Sequence, residues 1–117
     1  MQEICFSAPV EEKINEYVGR IVRRLNPQKI IVFGSCANGE QTVNSDLDLL
    51  VITEIPTGET KSSLRTKIRG WLEDRNFPID LIIHTPEQFQ EQKSSPGMIA
   101  ETASREGKVY YEQSRAA

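Results

Sequence analysis

The chain has 117 residues, 38% of them hydrophobic and 26% charged, enough for one domain with a real core and too few for two. No apolar run approaches the ~20 residues of a membrane helix, and Met1-Gln2-Glu3-Ile4-Cys5 lacks the basic-then-apolar start of an export signal, so a cytoplasmic protein is expected. With 14 basic against 17 acidic residues, the formal charge of −3 argues against a domain built mainly to grip nucleic acid.

Neither a repeat, a low-complexity tract nor a linker divides the chain, which reads as one unit over residues 1–117. Val10, Ile14, Tyr17, Val18, Ile21, Val22 and Leu25 recur at helical spacing, with Ser7 as a cap before Pro9 and Asn26-Pro27 as the stop. Glu11 and Glu12 in the first turns and Arg23 and Arg24 near the end suit the helix dipole. Lys29 to Phe33 reads as a short buried strand ended by Gly34-Ser35. The stretch from Cys36 to Ser45 is polar and turn-rich, with room for one short helix. A second strand is expected over 46–53, broken by Pro56-Thr57-Gly58. Leu64, Ile68, Trp71 and Leu72 then mark a second amphipathic helix. Ile79 to Ile83 reads as a third strand, and Thr85-Pro86-Glu87 as a helix start with Pro at the first helical position. Met98 to Glu106 predicts a last helix stopped by Gly107, followed by a terminal strand at Val109-Tyr110-Tyr111. Alternating helices and strands define an α/β (α+β) domain, a sheet with helices packed on it.

The chemistry concentrates in Ser45-Asp46-Leu47-Asp48-Leu49-Leu50-Val51. Side chains alternate along a strand, so Asp46 and Asp48 share one face and Leu47, Leu49 and Val51 the other. Two residues of rise separate the aspartates by about 6.6 Å, and their repulsion at an effective dielectric of 20 is roughly 2.5 kcal/mol. A compensating Lys or Arg would make the pair purely structural, yet no basic residue lies between Gly34 and Glu59. A hard cation such as Mg²⁺, held by carboxylates together with substrate phosphates, fits better. Asp80 opens another apolar strand; alone it would read as a solvent-facing strand entry. Beside the second strand it would bring three carboxylates to one sheet edge, enough to hold the metals of an in-line phosphoryl displacement.

Gly34-Ser35 follows a buried strand directly, where backbone amides and a hydroxyl can face a phosphate. Most such dipeptides are plain turns, and this one matches neither the Walker pattern nor the dinucleotide fingerprint. Its weight comes from the aspartates that follow. Cys5 and Cys36 form no Cys-x-x-Cys pair and, with His84, no zinc-type cluster; two free thiols are expected. His84 reads as a polar strand end, Trp71 as core packing, and Arg20, Arg23 and Arg24 as the solvated side of the first helix.

Taken together, Gly34-Ser35-Cys36-Ala37-Asn38-Gly39 and Ser45-Asp46-Leu47-Asp48-Leu49 resemble the signature of the polymerase-beta-like nucleotidyltransferase superfamily. Ala37, Gly39 and the closing Gly107-Lys108-Val109-Tyr110-Tyr111 look like its minimal nucleotidyltransferase (MNT) branch. The resemblance covers nearly the whole chain and implies a small mixed sheet with the active site on one face. It implies that Asp46 and Asp48 ligate Mg²⁺ (or Mn²⁺), that Asp80 completes the site or deprotonates the acceptor hydroxyl, and that Gly34 and Ser35 hold the phosphates of ATP or another NTP. Many relatives carry Arg where Asn38 stands. Many members of this branch are antitoxins encoded with a HEPN-domain toxin, and several add AMP to a tyrosine of it. The resemblance therefore implies an adenylyltransferase of a toxin–antitoxin pair. Two alternatives stand beside it: an antitoxin that masks its toxin by binding alone, and a small-molecule nucleotidyltransferase. Larger relatives close a second lobe over the nucleotide, so a partner protein or a second copy of the chain is expected to supply the missing wall of the pocket.

Overall fold

The computed structural model describes residues 8–33, 47–72 and 79–113. In chain order these form α1 (Ala8–Leu25), β1 (Lys29–Phe33), β2 (Leu47–Ile52), α2 (Lys61–Leu72), β3 (Ile79–His84), α3 (Pro86–Gln92), α4 (Ile99–Glu106) and β4 (Lys108–Glu112). The α/β class expected from the sequence is the observed one. The strands make one sheet in the order β3-β2-β1-β4. It is mixed: β1 pairs antiparallel with β2 and β4, whereas β2 and β3 run parallel. A parallel pair needs a crossover, and α2 lies in that connection.

Strand alternation sends the core to both faces of the sheet. Ile30, Val32, Leu49, Val51, Leu81 and Ile83 meet α1 and α2 through Ile14, Tyr17, Ile21, Leu64 and Ile68. Ile31, Phe33, Leu50 and Ile52 meet Phe89 of α3 and Ala100 and Ala103 of α4. A near-continuous apolar strand such as β1, with Ile30 to Phe33 all buried, is what a sheet covered on two sides requires. Helix α1 ends where Asn26 takes a left-handed φ of 55°, and its N–H donates to the Val22 carbonyl at 3.0 Å. Asn tolerates this backbone better than most residues. Tyr110 of β4 donates its hydroxyl to Glu11 Oε2 at 2.8 Å, tying the last strand to the first helix.

Several local expectations are refined. The Ser7 cap and the stretch from Cys36 to Ser45, like both cysteines, fall outside the described residues. The second strand ends at Ile52, but Thr53 continues the ladder by donating to the His84 carbonyl at 2.9 Å. That bond also extends β3 one residue beyond Ile83. Thr85 caps α3, its side chain accepting from the Gln88 N–H at 3.1 Å. Met98 is the N-cap of α4 rather than its first residue, and Gly107 ends that helix. Arg20 corrects the picture of a purely solvated α1 face. Its Nη1 donates to the Leu72 carbonyl at 2.8 Å and the Trp71 carbonyl at 3.3 Å, satisfying carbonyls left open at the end of α2. Arg23 and Arg24 are exposed as expected. Trp71 packs half-buried against the core, with the Arg24 guanidinium 5.8 Å from its ring centre.

Candidate active site

Three strand ends converge at one end of the sheet: β1 finishes at Phe33, while β2 and β3 begin at Leu47 and Ile79. Across this end Phe33 is the partner of Asp48, and Asp48 is the partner of Asp80. Residues directly opposite one another project from the same face, so the two carboxylates stand side by side on strands about 4.8 Å apart. Alternation assigns them to the α3–α4 face, in line with Leu50 and Ile52 on β2 and with Ile82 and His84 on β3. Asp48 is half-buried and Asp80 exposed.

The structure thus brings together two of the acidic residues singled out in the sequence. Asp46, Gly34 and Ser35 lie outside the described residues; in sequence they adjoin Leu47 and Phe33, which sit at this same end. Among the described residues, no three His, Cys, Asp or Glu side chains gather into a metal-binding group, so Asp48 and Asp80 are a pair. Hard carboxylate oxygens in this number suit Mg²⁺, which commonly takes one or two carboxylates and completes its shell with phosphates and water.

His84 departs from its reading as an ordinary polar strand end. It is only 5% exposed, and its Nδ1 is buried without a hydrogen-bond partner among the described residues. Burial, reinforced by the positive charge of Lys61, holds its pKa below the usual histidine value. It stands at the opposite end of β3 from Asp80, about 13 Å away at four residues of strand rise. There it lines a cleft of about 460 Å³ with Lys61, Ser62, Arg65, Ile82, Gln88 and Ile99. Lys61, Arg65 and Arg69 are not among the site residues expected from the sequence. Their spacing of four in a helix without a single acid was the signal available.

The fold defines an α/β domain that presents a carboxylate pair at one end of a mixed sheet. The model of the nucleotidyltransferase domain family matches residues 12–109, from the first turns of α1 into β4, and the chain belongs to that family. No curated protein and no solved structure matches it. Membership makes nucleotidyl transfer the general activity and a nucleoside triphosphate the general substrate, in a family that uses divalent metals. No helix among the described residues is long and apolar enough to cross a membrane.

Proposed function

We propose that the chain, as a single domain over residues 1–117 in the cytoplasm, transfers AMP from ATP to a protein hydroxyl. The acceptor in this reading is a tyrosine of a HEPN-type toxin, which makes the chain its antitoxin. The observation that carries the transfer reading is the cross-strand pairing of Asp48 with Asp80. It sets two carboxylates beside the strand end from which Gly34-Ser35 departs. The tyrosine acceptor and the toxin partner rest on the resemblance to the MNT branch.

In this mechanism Asp46 and Asp48 would hold Mg²⁺, with Asp80 completing the set. The ion, when bound, supplies neutralisation of the charge that develops on the phosphates. Gly34 and Ser35 hold the phosphate chain by backbone amide and hydroxyl. The acceptor oxygen bonds to the α-phosphorus as the bond to the β-phosphate oxygen breaks, and pyrophosphate leaves. Asp80, the more exposed carboxylate, accepts the hydroxyl proton. Catalysis of this kind is mostly positioning and electrostatics, so loss of one carboxylate should impair chemistry far more than association.

The test compares the wild type with Asp48→Asn, using ATP, Mg²⁺ and a HEPN-type helical protein as the acceptor. Wild type should add the mass of one or more AMP units to that partner, and the variant should not. The variant should also fail to protect cells while still binding the partner. Full protection by Asp48→Asn at equal protein level would show that neutralisation works by masking instead.

A further inference from the structure

We propose that β3, the edge strand of the sheet among the described residues, docks an extended segment of the acceptor protein by strand addition, the segment alternating acidic residues with apolar or hydroxyl-bearing ones. The placement of its hydroxyl rests on the transfer reading above; the docking itself does not.

Strand β3 is the edge of the sheet, and its backbone groups alternate in direction. The His84 carbonyl accepts from Thr53 beside β2, so the backbone groups of His84, Ile82 and Asp80 turn inward and those of Ile79, Leu81 and Ile83 turn outward. Arg69 agrees with this parity, since its Nη2 donates to the Ile79 carbonyl at 2.9 Å. Among the described residues, outward N–H and C=O groups at Leu81 and Ile83 therefore remain, and β2 is the one strand paired with β3. Such an edge is a template for a further strand.

Charge selects the occupant. The chain as a whole is acidic, with a net charge of −3, yet α2 carries Lys61, Arg65, Lys67 and Arg69 and no acid. Lys67 pairs with Glu59. Among the described residues no carboxylate pairs with Lys61, Arg65 or Arg69; Lys61 and Arg69 bond only neutral oxygens. These three, four residues apart, lie on one side of α2. Arg69 reaches the start of β3, and Lys61 and Arg65 line the cleft at its end. The cationic row therefore follows the open edge.

The pleat then fixes the pattern of the docked segment. Residues opposite Leu81 and Ile83 face α2 and its cations, so they are acidic. The residue opposite Ile82 faces the other side, where Ile82 is half-buried and Ile99 is 44% exposed, so it is apolar. The residue opposite Asp80 shares the face of the carboxylate pair, and a hydroxyl there is presented to Asp48 and Asp80. The bond from Lys61 Nζ to Gln88 Oε1 straps α2 to α3 and closes the far end of the groove. A polyphosphate chain could meet the cations, but it has no use for a row of alternating backbone donors and acceptors.

Fluorescent peptides Tyr-Glu-Val-Glu-Val-Glu and its reverse, one for each chain direction, test this by anisotropy at low salt without ATP or metal. At least one should bind. The double variant Lys61→Glu with Arg65→Glu, its fold verified by melting, should weaken that binding at least tenfold. N-methylation of the central peptide amides, which keeps every charge, should do the same. Equal binding of the N-methylated peptide overturns strand pairing and leaves an electrostatic surface suited to any polyanion. Binding by neither peptide, or an unaffected double variant, overturns the docking altogether. Transfer to the partner protein without peptide docking would sink this inference alone, whereas docking without transfer would sink the catalytic reading alone.

Discussion

Asp80→Asn should raise the melting temperature without metal and lower it with metal. Asp80 and Asp48 are directly paired across neighbouring strands, placing their carboxylates roughly 5 Å apart. Because Asp80 is exposed, the dielectric is close to that of water, and the repulsion is about 0.8 kcal/mol. Removing one charge while keeping the side-chain shape should relieve it, raising the midpoint by about 3–5 °C for a chain of this size. Mg²⁺ with ATP acts oppositely, because a ligand that binds only the folded state stabilises it by about 2.7 kcal/mol at a hundredfold excess over Kd. The wild type should therefore gain on the order of 10 °C, and the variant much less. Differential scanning fluorimetry in EDTA and in saturating Mg-ATP should show the two melting curves change order. A variant that melts below the wild type in EDTA would mean the carboxylates do not repel one another as argued. An equal Mg-ATP shift in both proteins would place the metal away from Asp80.

Gly107→Ala should be destabilising although the φ of −85° suits any residue, because the added Cβ would lie 2.5 Å from the Ala103 carbonyl oxygen and 2.5 Å from Ile31 Cγ2. Overpacking of this kind costs about 1–3 kcal/mol, visible as a lower urea midpoint; an unchanged midpoint would show that α4 and β1 separate freely. His84 gives a pH dependence with a defined sign. Its folded pKa lies below the ordinary value, so below about pH 6.5 the unfolded chain takes up a proton that the folded chain resists. The contribution of His84 is thus fully present above that pH and is lost as pH falls toward the folded pKa. Replacing His84 with Leu should flatten this part of the stability–pH profile between pH 7 and 5, and an unaltered profile would assign the acid sensitivity to other groups.

The elements were legible because each is encoded locally. The spacing of Ile14, Tyr17, Val18 and Ile21 demands a helix with one buried face, Thr85-Pro86 starts α3 by capping chemistry, and Gly107 stops α4 where a side chain would collide. The strand through Asp48 was legible from the alternation at its start and the apolar run Leu49 to Ile52 that follows, and so was the oddity of an acid near the start of two apolar strands. What the sequence could not decide was which strands are neighbours, since strand order depends on contacts between residues far apart in the chain. Only the parallel pairing of β2 with β3 sets Asp48 beside Asp80. Only the sheet order makes β3 an edge and lays the cations of α2 along it. The fate of two polar residues was likewise tertiary. Arg20 finds the carbonyls of Trp71 and Leu72 some fifty positions away. His84, polar at a strand end, is buried because α3 and the start of α2 close around it; periodicity records which face a residue takes, and the depth of burial is set by what the rest of the chain packs on that face.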